Sequence, residues 1–341
     1  MTGPSITELN FTDLYIRLDD LDQALYLPRQ KGRLRHNLPV PPEYRHSTDT
    51  LANYINSHVQ GVDAGIQFEG VRMRVARQTL ADDQVWACLR KINTEVPDID
   101  KLGFAPHVLS HLKSLGARDG LILISGSTGA GKTTTAASLL HHFLAHYGGT
   151  AVTIEDPAEY YLKGRHGDGG FCFQVEVRGG DEGWADCLKR ALRWAPRYIF
   201  VGEIRTAKAA EQLLRAATTG HTVITTVHSG AIEEALMGLQ QLAEMSMGPG
   251  AENIIASGLT AVLHQTMQAT GPFIRYVFTE ENAPGDPVRG LIRDKKIGMI
   301  STYIERTAAR LTQTSAATQN GPTAGKTTPG TPTPPPQARR I

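Results

Sequence analysis

The stretch ISGSTGAGKTTTAASLL, residues 124–140, decides the fold. Its frame Gly126-Ser127-Thr128-Gly129-Ala130-Gly131-Lys132-Thr133 fits G-x-x-x-x-G-K-[ST] in full. The run just before it, Gly120-Leu121-Ile122-Leu123-Ile124, is short, apolar and β-prone, as a buried parallel strand is. After the lysine, Leu139, Leu140, Phe143 and Leu144 are spaced for one face of a helix. The glycines thus fall between a strand and a helix, where backbone N–H groups and the helix N-terminus cradle phosphates. This pattern assigns Gly126 through Thr134 to a nucleotide, Lys132 to its terminal phosphates, and the Thr133 hydroxyl to Mg²⁺.

Outward from this loop, residues 111–270 alternate apolar strands with helical patterns, which predicts an α/β domain with a mainly parallel sheet covered on both faces. The strand candidates are 120–124, 150–154, 198–202 and 222–227. Three strand ends carry candidate site residues, because ligands of such sheets sit at the carboxyl ends of strands. In TIEDPAEYY, the acids Glu155, Asp156 and Glu159 leave the second strand toward the nucleotide or its metal; a capped, solvated turn is the alternative. In YIFVGEIR, Glu203 follows a strand and a glycine, placed to orient or deprotonate the water that attacks a γ-phosphate. In TTGHTVITTVHS, His228 emerges at the strand's carboxyl end as a γ-phosphate sensor, and His221, at the strand's start, is also assigned to the nucleotide; a structural histidine is the alternative.

The flanks read differently. Residues 1–110 mix strand and helix patterns: NFTDLYIRL as a strand, STDTLANYINSHVQ as a helix, and AGIQFEGVRMRVARQTL as a hairpin with Phe68, Val71, Met73 and Val75 inward. LPRQKGRLRHNLPVPP reads as a loop or a weak hairpin. Residues 271–313 are expected as a C-terminal helical region, helical from Pro287 to Thr312. From Thr314 to the end the chain is rich in Thr, Pro, Gly and Ala, the composition of a disordered tail.

Composition narrows the partners. Lys and Arg total 35 against 34 acids, a formal charge of +1, so no direct nucleic-acid partner is expected. The three cysteines, Cys88, Cys172 and Cys187, form no C-x-x-C pair, which fits a reducing compartment and no zinc knuckle. Asp13, Asp19 and Asp20 interrupt any apolar leader, and no segment approaches the ~20 apolar residues of a membrane span.

Together, the phosphate loop, TIEDPAEYY, ALRWAPRYIFVGEIR, TTGHTVITTVHS, FQVEV at 173–177 and SGLTAVLHQ at 257–265 resemble the type II/type IV secretion and pilus motor ATPases in order and spacing. The resemblance covers residues 8–312. It implies a PAS-like N-terminal domain joined to a RecA-like P-loop ATPase domain, ATP and Mg²⁺ as cofactors, and a homo-hexameric ring. It also implies a cytoplasmic motor held at the inner membrane by a platform protein. Arginines of the N-terminal domain contact phosphates in that family, a role for which Arg72, Arg74 and Arg90 are the candidates. The family's extension and type II secretion members usually carry a four-cysteine zinc module, which three scattered cysteines exclude. VRGLIRDK at 288–295 is instead similar to the C-terminal motif of retraction ATPases. Thr206 departs from the family's usual aspartate, and GRHGDGGF at 164–171 is richer in glycine than expected. A regulatory nucleotide-binding module with little turnover and a nucleic-acid translocase are the competing functions.

Overall fold

A computed structural model describes residues 3–29, 36–92, 95–177, 180–268, 271–280 and 285–305. Residues Met1–Ile300 form one compact unit and Ser301–Ile341 a second. Of the second, only Ser301–Glu305 fall among the described residues, and they are helical. The tail expected from residue 314, and the helix beyond 305, lie outside the described residues.

The first six strands make an antiparallel sheet: β1 (Phe11–Arg17), β2 (Ala24–Pro28), β3 (Leu38–Pro39), β4 (Asp63–Phe68), β5 (Val71–Thr79) and β6 (Val85–Lys91), in the order β3-β2-β1-β6-β5-β4. Helix α1 (Arg45–His58) buries Leu51, Ala52 and Ile55 against it. The expected hairpin is β4–β5, with Phe68, Met73 and Val75 buried and Val71 only half-buried. β2 pairs with β3 through Leu25 opposite Pro39; the basic stretch 30–35 between them lies outside the described residues.

The remaining chain follows α2 (Pro106–Ser114) with β7 (Gly120–Ser125), α3 (Lys132–Tyr147), β8 (Gly149–Glu155), β9 (Gly164–His166), β10 (Gly170–Glu176), α4 (Gly180–Leu192), β11 (Tyr198–Val201), α5 (Ala207–Thr218), β12 (Thr222–Val227), α6 (Ile232–Met247), α7 (Ala251–Gly258), β13 (Leu259–Gln268), β14 (Gly271–Phe278) and α8 (Pro287–Arg293). The second sheet runs β14-β13-β7-β12-β11-β8-β10-β9. Its six inner strands are mutually parallel, and β14 and β9 are antiparallel edges. Every residue of β7 is buried, because helices cover both faces of a parallel sheet and leave no wet side. Leu139, Leu140, Phe143 and Leu144 of α3 are all fully buried in the core of this sheet. Among the described residues, no helix is long and apolar enough to cross a membrane.

Three local features differ from the sequence reading or explain its oddities. The glycine-rich segment 164–171 forms most of the β9–β10 hairpin. Thr206 caps α5, its hydroxyl accepting from Ala209 N at 3.2 Å; threonine and aspartate are both good N-caps, so the departure keeps the turn. The C-terminal region opens on a strand, β14, paired along its length with β13, and its helix is not continuous. The α8 helix starts at Asp286, which accepts from Arg289 N at 2.8 Å, with Pro287 at its first position. It stops where Lys295 takes φ 58°. Lys295 N then donates to Ile292 O and Lys296 N to Leu291 O, the paired closure of a left-handed cap.

This segment is firmly packed. Ile292 is fully buried, as are Val288 and Ile297, whereas Arg289 donates to Ser257 O, Leu259 O and Thr279 Oγ1 around the end of α7. Lys295 pairs with Glu244 and Glu252. Truncating Ile292 would open a cavity costing about 2–5 kcal/mol, so a role of the retraction-like motif apart from packing is to be tested at half-buried Leu291 and exposed Arg293.

Candidate functional site

The carboxyl ends of β7, β8, β11 and β12 open on one cleft of about 470 Å³. The loop after β7 sets its floor. Gly131 holds φ 84° as it caps α3, and no side chain caps that helix, so its first N–H groups face the cleft unspent. Gly126 and Gly131 are required for space as well. A Cβ on Gly126 would lie 2.3 Å from Gln265 O, and one on Gly131 would lie 2.9 Å from Gln265 Nε2. Ser127, Thr128 and Gly129 form the exposed crest of the loop, and Ala130 is buried behind it. Thr133 and Thr134 line the cleft, with Thr134 Oγ1 sharing a hydrogen bond of 2.8 Å with the Tyr160 hydroxyl.

Lys132 anchors the centre. Its Nζ donates to Gly126 O and Ser127 O, both at 2.9 Å, and lies 3.3 Å from His228 Nδ1. Burial pushes the ammonium below its ordinary pKa, opposed by the Glu203 and Glu159 carboxylates. An ammonium only donates, so His228 Nδ1 accepts and its proton sits on Nε2, which faces Glu203 Oε1 at 3.6 Å. The other oxygen of Glu203 is held by Arg205, Nε at 2.9 Å and Nη2 at 2.7 Å. The cleft therefore presents a cation, an imidazole and a carboxylate with one oxygen clamped and one open.

The acids of the β8 end separate by environment. Glu159 and Asp156 are exposed at the mouth, whereas Glu155 is buried. Gln174 Nε2 donates to Glu155 Oε1 and to Tyr160 O, both at 2.8 Å. Burial still dominates and pushes the Glu155 carboxyl up to about 7. Burial also raises Asp156, with the Arg205 charge opposing. For Glu155 the unfolded chain ionises near 4.5 and the folded one near 7, so stability falls as pH rises through that window and levels off above it. Glu155→Gln removes this slope and should gain about 3 kcal/mol on wild type between pH 4 and pH 8. Denaturant melts of both proteins across that range check it; parallel profiles would show that Glu155 ionises freely.

Of the three candidate arginines, the structure brings one into the cleft. Arg74 lines it together with Asp63, their charged groups 3.7 Å apart on the β4–β5 hairpin. Arg72 shares the strand face but pairs with Glu176 at 2.5 Å, at the end of β10. Arg90 stands opposite Arg74 on β6, on the same face of the sheet, but pairs with buried Asp13 at 2.6 Å and does not line the cleft. His221 does not join the site either. It precedes β12, roughly 20 Å of strand from the carboxyl end, and its Nδ1 bonds Pro196 O at 2.7 Å. Its assignment to the nucleotide is corrected on that ground.

Sequence reasoning passed over Arg205, Trp184, Thr226 and Asp63, which line the cleft, and Gln174 and Gln265, which brace it. Arg205 was legible, since it leaves the same strand end as Glu203. The two glutamines stand far along the chain from what they hold.

The cleft suits a polyphosphate with a hard cation. Thr133, Glu155, Asp156 and Glu159 offer only oxygen donors, the set Mg²⁺ takes. Among the described residues no three acidic, histidine or cysteine side chains converge on a ready-made metal cage. Mg²⁺ is usually bound by one or two carboxylates plus phosphate oxygens, so a separate cage is not required.

A parallel sheet with a phosphate loop after its first strand and acids at the neighbouring strand ends defines a P-loop α/β protein. Within that class the family described as Type II/IV secretion system protein matches residues 60–289, and the chain belongs to it. It is 32% identical over 219 residues to the uncharacterized protein YggR of Escherichia coli, covering 64% of this chain and 65% of that one. It is 36% identical over 180 residues to the type IV pilus assembly ATPase PilB of Thermus thermophilus, covering 52% of this chain and 19% of PilB. The chain thus spans less than two thirds of these curated relatives. The crystal structure of the pilus retraction motor PilT with bound ADP superposes with a TM-score of 0.69 at 27% identity, covering 88% of this chain and 87% of PilT.

Proposed function

We propose that this chain binds ATP with Mg²⁺ and hydrolyses it as a ring-forming motor of a type IV pilus, secretion or conjugation machine, with pilus retraction the nearest case. The observation that carries the reading is the junction of Lys132, His228, Glu203 and Arg74 in one cleft. In this reading Gly126 through Thr134 hold the phosphates, and Thr133 with Asp156 and Glu155 hold Mg²⁺, which supplies Lewis-acid stabilisation of charge on the phosphate oxygens. Lys132 stabilises the same charge, Glu203 handles the attacking water through its open oxygen, and His228 links the two. Residues 1–110 then act as the domain that brings Arg74 to the ATPase core of 111–270. A homo-hexamer docked on an inner-membrane platform protein, in the cytoplasm, completes the proposal. Likeness to PilT and PilB supports it, and the α8 segment 288–295 favours the retraction branch.

Phosphate release by the purified chain, with and without EDTA, tests the core of this reading. Mg²⁺-dependent release supports it, and release no faster than a buffer blank sinks it. Arg74→Ala is expected to lower kcat about tenfold or more with a smaller loss of ATP binding, because the guanidinium matters most as transition-state charge develops. Unchanged turnover in that variant would leave the N-terminal sheet outside the chemistry.

A further inference from the structure

The phosphate loop is braced from outside. Gln265 of β13 is 1% exposed. Its Nε2 donates to Ala130 O at 2.7 Å, and its Oε1 accepts from Thr135 Oγ1 at 2.8 Å. The orientation follows from chemistry: a backbone carbonyl only accepts, so the amide must turn its NH₂ to Ala130 and its oxygen to the threonine hydroxyl. These two contacts bracket residues 131–134, which supply Lys132, Thr133 and the open N–H groups of α3. The same glutamine stands where Gly126 and Gly131 lack a side chain, its backbone oxygen and amide nitrogen filling the space a Cβ would need. Loop and amide therefore fit only as a pair.

A loop that aims several N–H dipoles and an ammonium at one point is strained electrostatically before an anion arrives, and its internal ties, Lys132 Nζ to Gly126 O and Ser127 O, hold the lysine and the front of the loop but not the start of α3. Preorganisation of that part is supplied by bonds to a neighbouring strand. The geometry points to Gln265 as the positioning residue that presets the phosphate loop, an inference that rests on the nucleotide reading above. It does not line the cleft itself. It keeps the loop from relaxing, so that binding does not have to restore its shape.

Calorimetric titration with ADP, alongside circular dichroism and thermal melts, tests this on the full chain. Gln265→Met keeps the approximate volume and removes both bonds. Gln265→Glu keeps the shape and sets an oxygen against Ala130 O. Both are expected to weaken ADP binding roughly 10- to 100-fold in protein that is folded at the temperature of measurement. The KM for ATP should rise by a similar factor while kcat at saturation changes much less. Thr135→Ser, which keeps the hydroxyl, should bind ADP as wild type does, and Thr135→Val should not. The double variant Gln265→Met/Thr135→Val should lose less than the product of the single losses, because one shared bond is already broken. Wild-type affinity in folded Gln265→Met, or a fall in melting temperature with affinity intact, overturns the role. If Gln265→Met does not fold, the Thr135 pair decides: equal affinity in Ser and Val overturns it. Wild-type protein that binds ADP no better than Lys132→Ala would instead overturn the nucleotide reading, and the brace with it.

Discussion

Lys132→Ala should weaken ATP binding about 100-fold or more and abolish measurable turnover, the largest single effect expected in this chain. The side chain is almost wholly buried, and its ammonium is already held on two loop carbonyls. Its position is therefore fixed before a phosphate arrives, and little side-chain entropy is left to lose on binding. Charge-assisted hydrogen bonds contribute about 1.5–3 kcal/mol each, and an ammonium has three donors to share. Alanine also leaves His228 Nδ1 without its partner and takes one cation from the surroundings of Glu203, where Arg205 remains. Binding and chemistry should fall together, unlike a change at a purely catalytic group. Lys132→Arg should not restore function, because a planar guanidinium cannot occupy a point held by two carbonyls 2.9 Å away. Calorimetry with ATP decides the matter, and equal affinity in wild type and Lys132→Ala would sink the phosphate-loop assignment.

What the sequence made legible follows a physical rule. Gly126 to Thr133 could be read because their chemistry is local: turn, helix start and lysine are set by neighbours within eight residues. Glu203 and His228 could be placed because strand direction fixes which end of a parallel sheet they leave. The same rule, applied to the start of TVITTV, would have removed His221. Arg72 and Arg74 were indistinguishable, since residues two apart share a strand face. What separates them is Glu176, more than a hundred residues away, which captures Arg72. Arg90 was lost in the same way to Asp13. The strand β14 escaped notice because its pattern of exposure follows an edge position beside β13, which sequence alternation does not report. Gln265 and Gln174 were missed for a stronger reason. Both lie in stretches that resemble the family, FQVEV and SGLTAVLHQ, yet a glutamine there announces no role, and its function lies in atoms the chain delivers from 130 and 19 residues away.

Glu203→Gln is expected to leave ATP binding within a few-fold of wild type and to slow hydrolysis about 10²- to 10⁴-fold. The substitution keeps the side chain's shape, so Arg205 still finds an oxygen to grip and the β11 end keeps its path. What disappears is the basic character of the open oxygen, the one turned toward His228. The clamp by Arg205 gives that oxygen its direction, because a carboxylate held at one atom by two N–H groups cannot rotate to solvent. The loss should therefore appear in kcat and in single-turnover rates, while Lys132 and the loop, untouched by the change, hold affinity. This separation distinguishes a motor from a regulatory nucleotide-binding module. In a motor the wild type turns over and Glu203→Gln stalls with ATP bound; in a regulatory module the two proteins bind alike and neither releases phosphate at an appreciable rate. Measuring ADP production under single-turnover conditions for both proteins settles it, and an equal, appreciable rate in the two would remove Glu203 from the chemistry.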